Sequence, residues 1–176
     1  VSAQVVDYRQ YIDPLTKLHV PGLHNHMNAA AAAAAAATQN VESEIIKSAL
    51  ENFAGIWRRF EFKGDVNGAK IYDDYSHHPT EIKAAIAGTR ELYPKKKLTV
   101  VFQPHTYSRT QALFTDFVDA LAHADRVILV PIYAAREENE SGVTGEQLVE
   151  ALRENGVEAT FFHTLPAVAQ ELKETV

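Results

Sequence analysis

KLTVVFQPHTYSRTQALFTDFVDALAHADRVILVPIY, residues 97–133, is the stretch that decides the fold. It opens on an apolar, β-branched run (KLTVVF, 97–102) and crosses a polar loop. A segment with apolar residues at three- and four-residue spacing follows (TQALFTDFVDALAHA, 110–124), and a second apolar run closes it (RVILVPIY, 126–133). The first run is short and rich in valine, as a buried strand is, while the middle segment has helical periodicity. Strand, helix, strand is the βαβ unit, whose right-handed crossover makes the two strands parallel.

The alternation continues outward on both sides. Toward the N-terminus, AKIYDDY (69–75) predicts a strand. PTEIKAAIAGTRELY (79–93) predicts a helix with Pro79 at its first position and Ile82, Ile86, Thr89 and Tyr93 in one stripe. Toward the C-terminus, TGEQLVEALRENG (144–156) predicts a helix capped by Thr144 and stopped by Gly156. EATFF (158–162) then predicts a strand and LPAVAQELKE (165–174) a last helix. From residue 60 onward the fold class is therefore α/β: a Rossmann-like, mostly parallel sheet with helices on both faces.

The first 55 residues read differently. AQVVDYRQYI (3–12) and LTKLHV (15–20) predict short strands broken at Asp13-Pro14. PGLHNHMN leads into nine alanines at 29–37, which predict a helix packed closely on a neighbour; a low-complexity linker is the alternative. SEIIKSALENF (43–53) predicts a helix with Ile45, Ile46, Ala49, Leu50 and Phe53 on one face, ended by Gly55. The boundary between the two units falls near Gly55–Arg59, and no internal repeat is visible.

Composition narrows the function. The chain has 176 residues, 46% apolar, enough for one packed domain and part of another. A net charge of −6 argues against nucleic acid or a membrane surface as partner. With no cysteine there is no disulfide framework and no thiolate ligand or nucleophile, which suits the cytoplasm. No apolar run reaches the roughly 20 residues of a membrane span. The first residue is Val and no signal peptide follows, so the chain is expected to begin within a longer protein or after processing.

In an open parallel sheet, ligands bind beyond the carboxyl ends of the strands. The ionisable residues gather in the loops there: DDYSHHP after the first strand, QPHTYSRT after the second, YAAREENESG after the third. Asp73 and Asp74 alternate in direction, so one can face the cleft. A carboxylate there accepts from ribose hydroxyls, holds Mg²⁺ through water, or simply caps a turn. His77 and His78 precede Pro79 at a helix N-terminus, where His78 reads as a cap and His77 as the more open of the two. Arg109 offers a forked, permanent cation suited to a carboxylate or phosphate, or else it pairs with an acidic surface neighbour. His105 and Tyr107 can donate to the same ligand. Glu137, Glu138 and Glu140 read as a solvated loop. His19, His24, His26, His77 and His78 lack the spacing of a zinc site.

Four ordered motifs, PGLHNHMNAAAA, FAGIWRRFE, DDYSHHPTEI and FQPHTYSRT, resemble the Mur ligases, and the resemblance runs from about residue 18 to 155. It implies that residues 1–55 are the end of a central ATP-binding domain, 56–59 a hinge, and 60–176 a C-terminal Rossmann-like ligase domain. It also implies that the chain is a fragment, because the phosphate loop and a final Gly-Ala-Gly-type segment are absent. The implied reaction is amide formation: ATP, with Mg²⁺, phosphorylates the muramoyl carboxylate of UDP-N-acetylmuramate, and the amine of L-alanine displaces the phosphate. By the same resemblance Asn25 and Asn28 face adenine, Arg59 lies near ribose and phosphates, and Asp74 holds the ribose. Arg58 serves the hinge. Tyr75, His77, His105, Tyr107 and Arg109 form the amino-acid pocket, with His77 and Arg109 as the catalytic pair. Most metal ligands would lie in the absent part of the central domain. Thr106 departs from members that carry arginine there. A sister ligase that recycles murein tripeptide, and a nucleotide-binding module without catalysis, are the alternatives.

Overall fold

The computed structural model describes residues 5–11 and 17–175. Its centre is a three-stranded parallel sheet of β3 (Thr99–Phe102), β4 (Arg126–Leu129) and β5 (Glu158–Phe161), in that order. The register is direct: Phe102 faces Leu129, which faces Phe161. The two strands predicted from the opening stretch thus pair in parallel, with helices α4 (Tyr107–Ala112) and α5 (Phe114–Leu121) between them. One continuous helix was predicted over 110–124, whereas the ladder breaks at Leu113, a position that neither glycine nor proline marks.

Helices cover both faces of the sheet. On one side α3 (Pro79–Leu92), α5 and α6 (Gly145–Glu154) bury Ile82, Ile86, Phe117, Leu121, Leu148 and Leu152 against Phe102, Val127, Leu129 and Ala159. On the other, α7 (Leu165–Thr175) packs Val168 and Leu172 on Ile128 and Val130. Thr144 caps α6 by accepting from the Gln147 N–H, and Gly156 takes the left-handed conformation just after its end (φ 79°). A Cβ on Gly145 would stand 2.6 Å from Phe161 Cε2 and 3.2 Å from the Val130 carbonyl, so any larger residue at the start of α6 must displace the Phe161 ring.

The strand expected at 69–75 forms, but outside the parallel sheet. β2 (Ala69–Asp73) pairs antiparallel with β1 (Glu61–Val66) through the Asn67-Gly68 turn, both of whose residues have positive φ. That turn matches the twist of a two-stranded ribbon. The hairpin is held to α3 by aromatic packing: Phe60 stacks on Tyr72 at 4.4 Å, and the Tyr72 and Tyr93 hydroxyls lie 2.6 Å apart.

The first unit departs further from expectation. Part of each strand predicted at 3–12 and 15–20, and Asp13-Pro14 itself, lies outside the described residues. In the described part, Asp7 accepts from the Arg9 N–H and pairs with its guanidinium, which turns Tyr8–Gln10 into a single 3-10 turn. Residues 17–20 form no strand. The alanine run is helical in α1 (Leu23–Thr38), with Ala29, Ala30, Ala33 and Ala34 buried. Gly22, ahead of α1, lies against Gly88 of α3, so the two segments approach backbone to backbone. Helix α2 (Ser43–Asn52) forms as predicted, yet none of its residues is buried and Ile45 is 58% exposed.

Candidate active site

The loop after β2 and the loops after β3 and β4 meet at one edge even though β2 belongs to another sheet. They meet through rings. The Arg58 guanidinium sits 4.7 Å over the Tyr75 ring, Tyr75 meets His77 edge-on at 5.4 Å, His77 lies 6.4 Å from His105, and His105 stacks on Tyr133 at 5.3 Å. Backbone reinforces the last step, because the Tyr133 N–H donates to the Pro104 carbonyl at 2.8 Å and His105 bridges Tyr133 in parallel. Tyr75, His77 and His105 therefore lie in one row of neighbouring rings.

The hydrogen bonds fix which imidazole nitrogen carries the proton. His77 Nδ1 faces acceptors: the Tyr75 carbonyl at 3.0 Å and Glu81 Oε2 at 3.6 Å. It must therefore be the N–H, which leaves the Nε2 lone pair free in the neutral ring. His105 is the reverse, since its Nδ1 faces the Arg109 Nη1 donor at 3.4 Å and its Nε2 carries the hydrogen. His78 is the N-cap of α3, with Nδ1 accepting from the Thr80 N–H. Glu81 closes that capping box and also accepts from the His77 and His78 N–H groups. Burial acts to raise the Glu81 carboxyl, but the His77 N–H and ring, the His78 N–H and the charge of Arg59 outweigh it and hold it below its ordinary value. Arg59, although exposed, is thereby on the His77 side of the site.

Arg109 lies on α4 and folds back one turn, with Nη1 donating to the His105 carbonyl at 3.1 Å. Among the described residues no carboxylate stands within ion-pair distance of it. Tyr107 opens the same helix, and the Thr106 hydroxyl lies 3.2 Å from that of Ser108. Glu137 is engaged rather than merely solvated: it accepts from the Ser108 N–H at 2.8 Å and the Ser108 hydroxyl at 2.6 Å. Those two contacts, in that order of hydroxyl then N–H, hold its carboxyl below the ordinary range.

On the side of Trp57 and Arg58, Asp73 pairs with Arg58 at 3.3 Å, and Arg58 also lies 5.7 Å from the Trp57 ring. Asp74 accepts from the Phe60 N–H at 2.7 Å, from the Ser76 N–H at 2.8 Å and from the Ser76 hydroxyl. A carboxylate has about four acceptor positions, so one is left for a ligand. Arg58 and Phe60 are both left-handed (φ 54° and 50°), which non-glycine residues rarely adopt. At the start of α1, Asn25 donates to the Pro21 carbonyl at 2.7 Å, while Asn28, one turn on, is exposed. Among the described residues no three His, Asp or Glu side chains converge as a metal set, and no helix is long and apolar enough to cross a membrane.

Two residues of this edge escape the sequence reading. Tyr133 ends an apolar run and reads as its last strand residue; Glu137 contacts a residue 29 positions away, which no local pattern announces.

Known proteins resemble this chain in sequence and in fold. A family profile described as "Mur ligase, glutamate ligase domain" matches residues 58–176. The UDP-N-acetylmuramate–L-alanine ligase of Agathobacter rectalis is 47% identical over 90% of this chain and 34% of its own length. That of Acidithiobacillus ferrooxidans is 46% identical over 95% and 36%. The crystal structure of a Thermotoga maritima UDP-N-acetylmuramate–alanine ligase superposes with a TM-score of 0.73 at 31% identity, over 87% of this chain and 32% of that one. The chain thus spans about a third of the length of the curated relatives it matches.

Proposed function

This chain belongs to the Mur ligase family, and on that premise we propose that it is the acceptor-side portion of an ATP-dependent ligase that joins L-alanine to UDP-N-acetylmuramate in the cytoplasm, for peptidoglycan precursors. Residues 1–55 are the end of the central nucleotide-binding domain, 56–59 the hinge and 60–176 the C-terminal domain. The profile boundary at residue 58 and the left-handed Arg58 and Phe60 support that division.

The observation that carries the reading is Arg109: a permanent cation with no carboxylate partner among the described residues, beside the His77–His105–Tyr133 row. An amino acid needs its carboxylate fixed by a fork of donors while its amine is aimed elsewhere, and a guanidinium supplies that fork. Arg109 takes the carboxylate of L-alanine, and Tyr75, His105 and Tyr107 wall the pocket. His77, whose Nδ1–H is committed to the Tyr75 carbonyl, has its Nε2 free to accept the proton of the alanine ammonium. The neutral amine attacks the activated carbonyl carbon and the C–N bond forms; the adduct gives up its second nitrogen proton to the departing phosphate, which leaves with the electrons of the C–O bond.

The residues also fit a nucleotide. Arg59 is exposed for phosphates, Asn28 and the amide oxygen of Asn25 suit adenine edges, and Asp74 keeps an acceptor for ribose. ATP supplies the phosphoryl group that activates the muramoyl carboxylate. Its Mg²⁺ ligands belong mostly to the part of the relatives that this chain does not cover. Murein tripeptide as the acceptor is less favoured, because the motif FQPHTYSRT and the relatives named above both point to a single amino acid.

The test is Arg109→Ala in the full-length protein. Losing the fork costs about 2–5 kcal/mol of binding, so the L-alanine KM rises by orders of magnitude. Acyl phosphate, trapped by borohydride reduction without alanine, still forms. Loss of the trapped species with an unchanged alanine KM would put Arg109 on the phosphate or sugar side and end the acceptor-pocket reading.

A further inference from the structure

Glu137 lies on the loop that leaves β4, yet both its carboxylate oxygens are spent on α4. Oε2 accepts from the Ser108 N–H at 2.8 Å and Oε1 from the Ser108 hydroxyl at 2.6 Å. Ser108 sits between Tyr107 and Arg109, so this contact grips the turn that carries both. The loop is bent to reach it. The Glu137 N–H closes a turn on the Ala134 carbonyl at 2.9 Å, and Ala135 within that turn is left-handed at φ 55°. An alanine in that conformation is held by its surroundings rather than by its own preference. The same loop carries Tyr133, stacked on His105. The loop after β4 therefore clamps the loop after β3 twice, by a ring on His105 and by a carboxylate on Ser108.

We propose that Glu137 is a positioning residue for the amino-acid pocket: by bridging both donors of Ser108 it sets where the first turn of α4 presents Arg109. The proposal rests on the reading of Arg109 as the acceptor carboxylate site. α4 needs such a grip, because it is six residues long, Thr106 gives it no side-chain cap, and helices this short do not hold themselves. A doubly accepting carboxylate is the strongest single acceptor the chain can offer those donors. The same two contacts, the Ser108 hydroxyl first, hold the Glu137 carboxyl below its ordinary value.

The experiment compares Glu137→Ala, Glu137→Gln, Ser108→Ala and Arg109→Ala in the full-length protein, by steady-state kinetics and by amide exchange of α4. Glu137→Ala is expected to raise the L-alanine KM about tenfold or more while the ATP KM stays within about twofold. It should also speed exchange of the Thr110 and Leu113 amides, which donate to Thr106 and Arg109 within that helix. Glu137→Gln keeps one accepting oxygen and should fall between wild type and Glu137→Ala; Ser108→Ala loses only the hydroxyl donor and should fall between them too. Should Glu137→Ala fail to fold, these two variants carry the test. An unchanged alanine KM in the Glu137 variants, with a raised one in Arg109→Ala, overturns the positioning role alone. Equal rises in alanine and ATP KM make the contact merely structural and also overturn it. An unchanged alanine KM in Arg109→Ala overturns the acceptor reading, and this proposal with it.

Discussion

Asp74 accepts the backbone N–H of Phe60 at 2.7 Å, so the carboxylate that follows β2 also fixes the left-handed turn that enters β1. Fourteen positions of sequence separate them, and the bond closes the base of the hairpin. An asparagine there keeps one accepting oxygen and turns an NH₂ toward donors. Asp74→Asn is therefore expected to lose about 1–2 kcal/mol of charge-assisted hydrogen bonding. In the full-length protein its ATP KM should rise more than its alanine KM. A shift confined to the alanine KM would move Asp74 to the acceptor pocket. Asp73→Asn, which breaks a half-exposed pair with Arg58, should cost at most about 1 kcal/mol of stability, read by denaturant melts.

The purified 176-residue chain is expected not to turn over ATP. Its sequence has no Gly-x-x-x-x-Gly-Lys-Ser/Thr loop, whose N–H groups cradle the phosphates and whose lysine reaches the β and γ oxygens. A phosphate-release assay that shows turnover persisting through further purification would refute this.

The Tyr72 phenol is pushed up to about 12, first by burial and then by the Tyr93 hydroxyl 2.6 Å away. The fold thus favours the protonated form. Its contribution is complete below the ordinary value of 10.0 and is lost as pH rises through about 12. Tyr72→Phe should cost about 1 kcal/mol at neutral pH, and that gap should narrow across the alkaline window. A gap independent of pH up to the alkaline melt would mean that the two hydroxyls do not share a proton in solution.

Gly145→Ala should destabilise by about 1–3 kcal/mol, because the new methyl meets Phe161 at 2.6 Å and the Val130 carbonyl at 3.2 Å. Gly142, with open space around its missing Cβ but φ 70°, provides the contrast: alanine there is strained by backbone conformation alone. A thermal melt of Gly145→Ala that matches wild type would show that the Phe161 ring yields.

Local chemistry was legible and distant partners were not. Thr144 and Gly156 bracket α6 in the sequence because caps and stops act within a turn, and the structure keeps both. The parallel pairing of β3 with β4 follows from the helix between them. The hairpin at 61–73 was missed although Asn67-Gly68, a strong signal for a tight antiparallel turn, stands in plain view. The strand that follows it was instead read into the βαβ series. For α2 the periodicity gave the stripe of Ile45, Ala49 and Phe53, but nothing in a stripe says what lies over it. At the site, ionisable loop residues named themselves by density. Glu137 did not, because its meaning comes from Ser108, and only the folded loops bring the two together.

Trp57 is the only tryptophan of these 176 residues, 76% exposed, with the Arg58 guanidinium 5.7 Å from its ring and 4.7 Å from that of Tyr75. The emission of this 176-residue chain therefore comes from one place, the segment ahead of the hairpin, and senses whether the cation stays beside the indole. The molecule carries its own optical gauge of that segment: a change in intensity or wavelength on adding a nucleotide or an amino acid can be followed by stopped flow, without label or mutation.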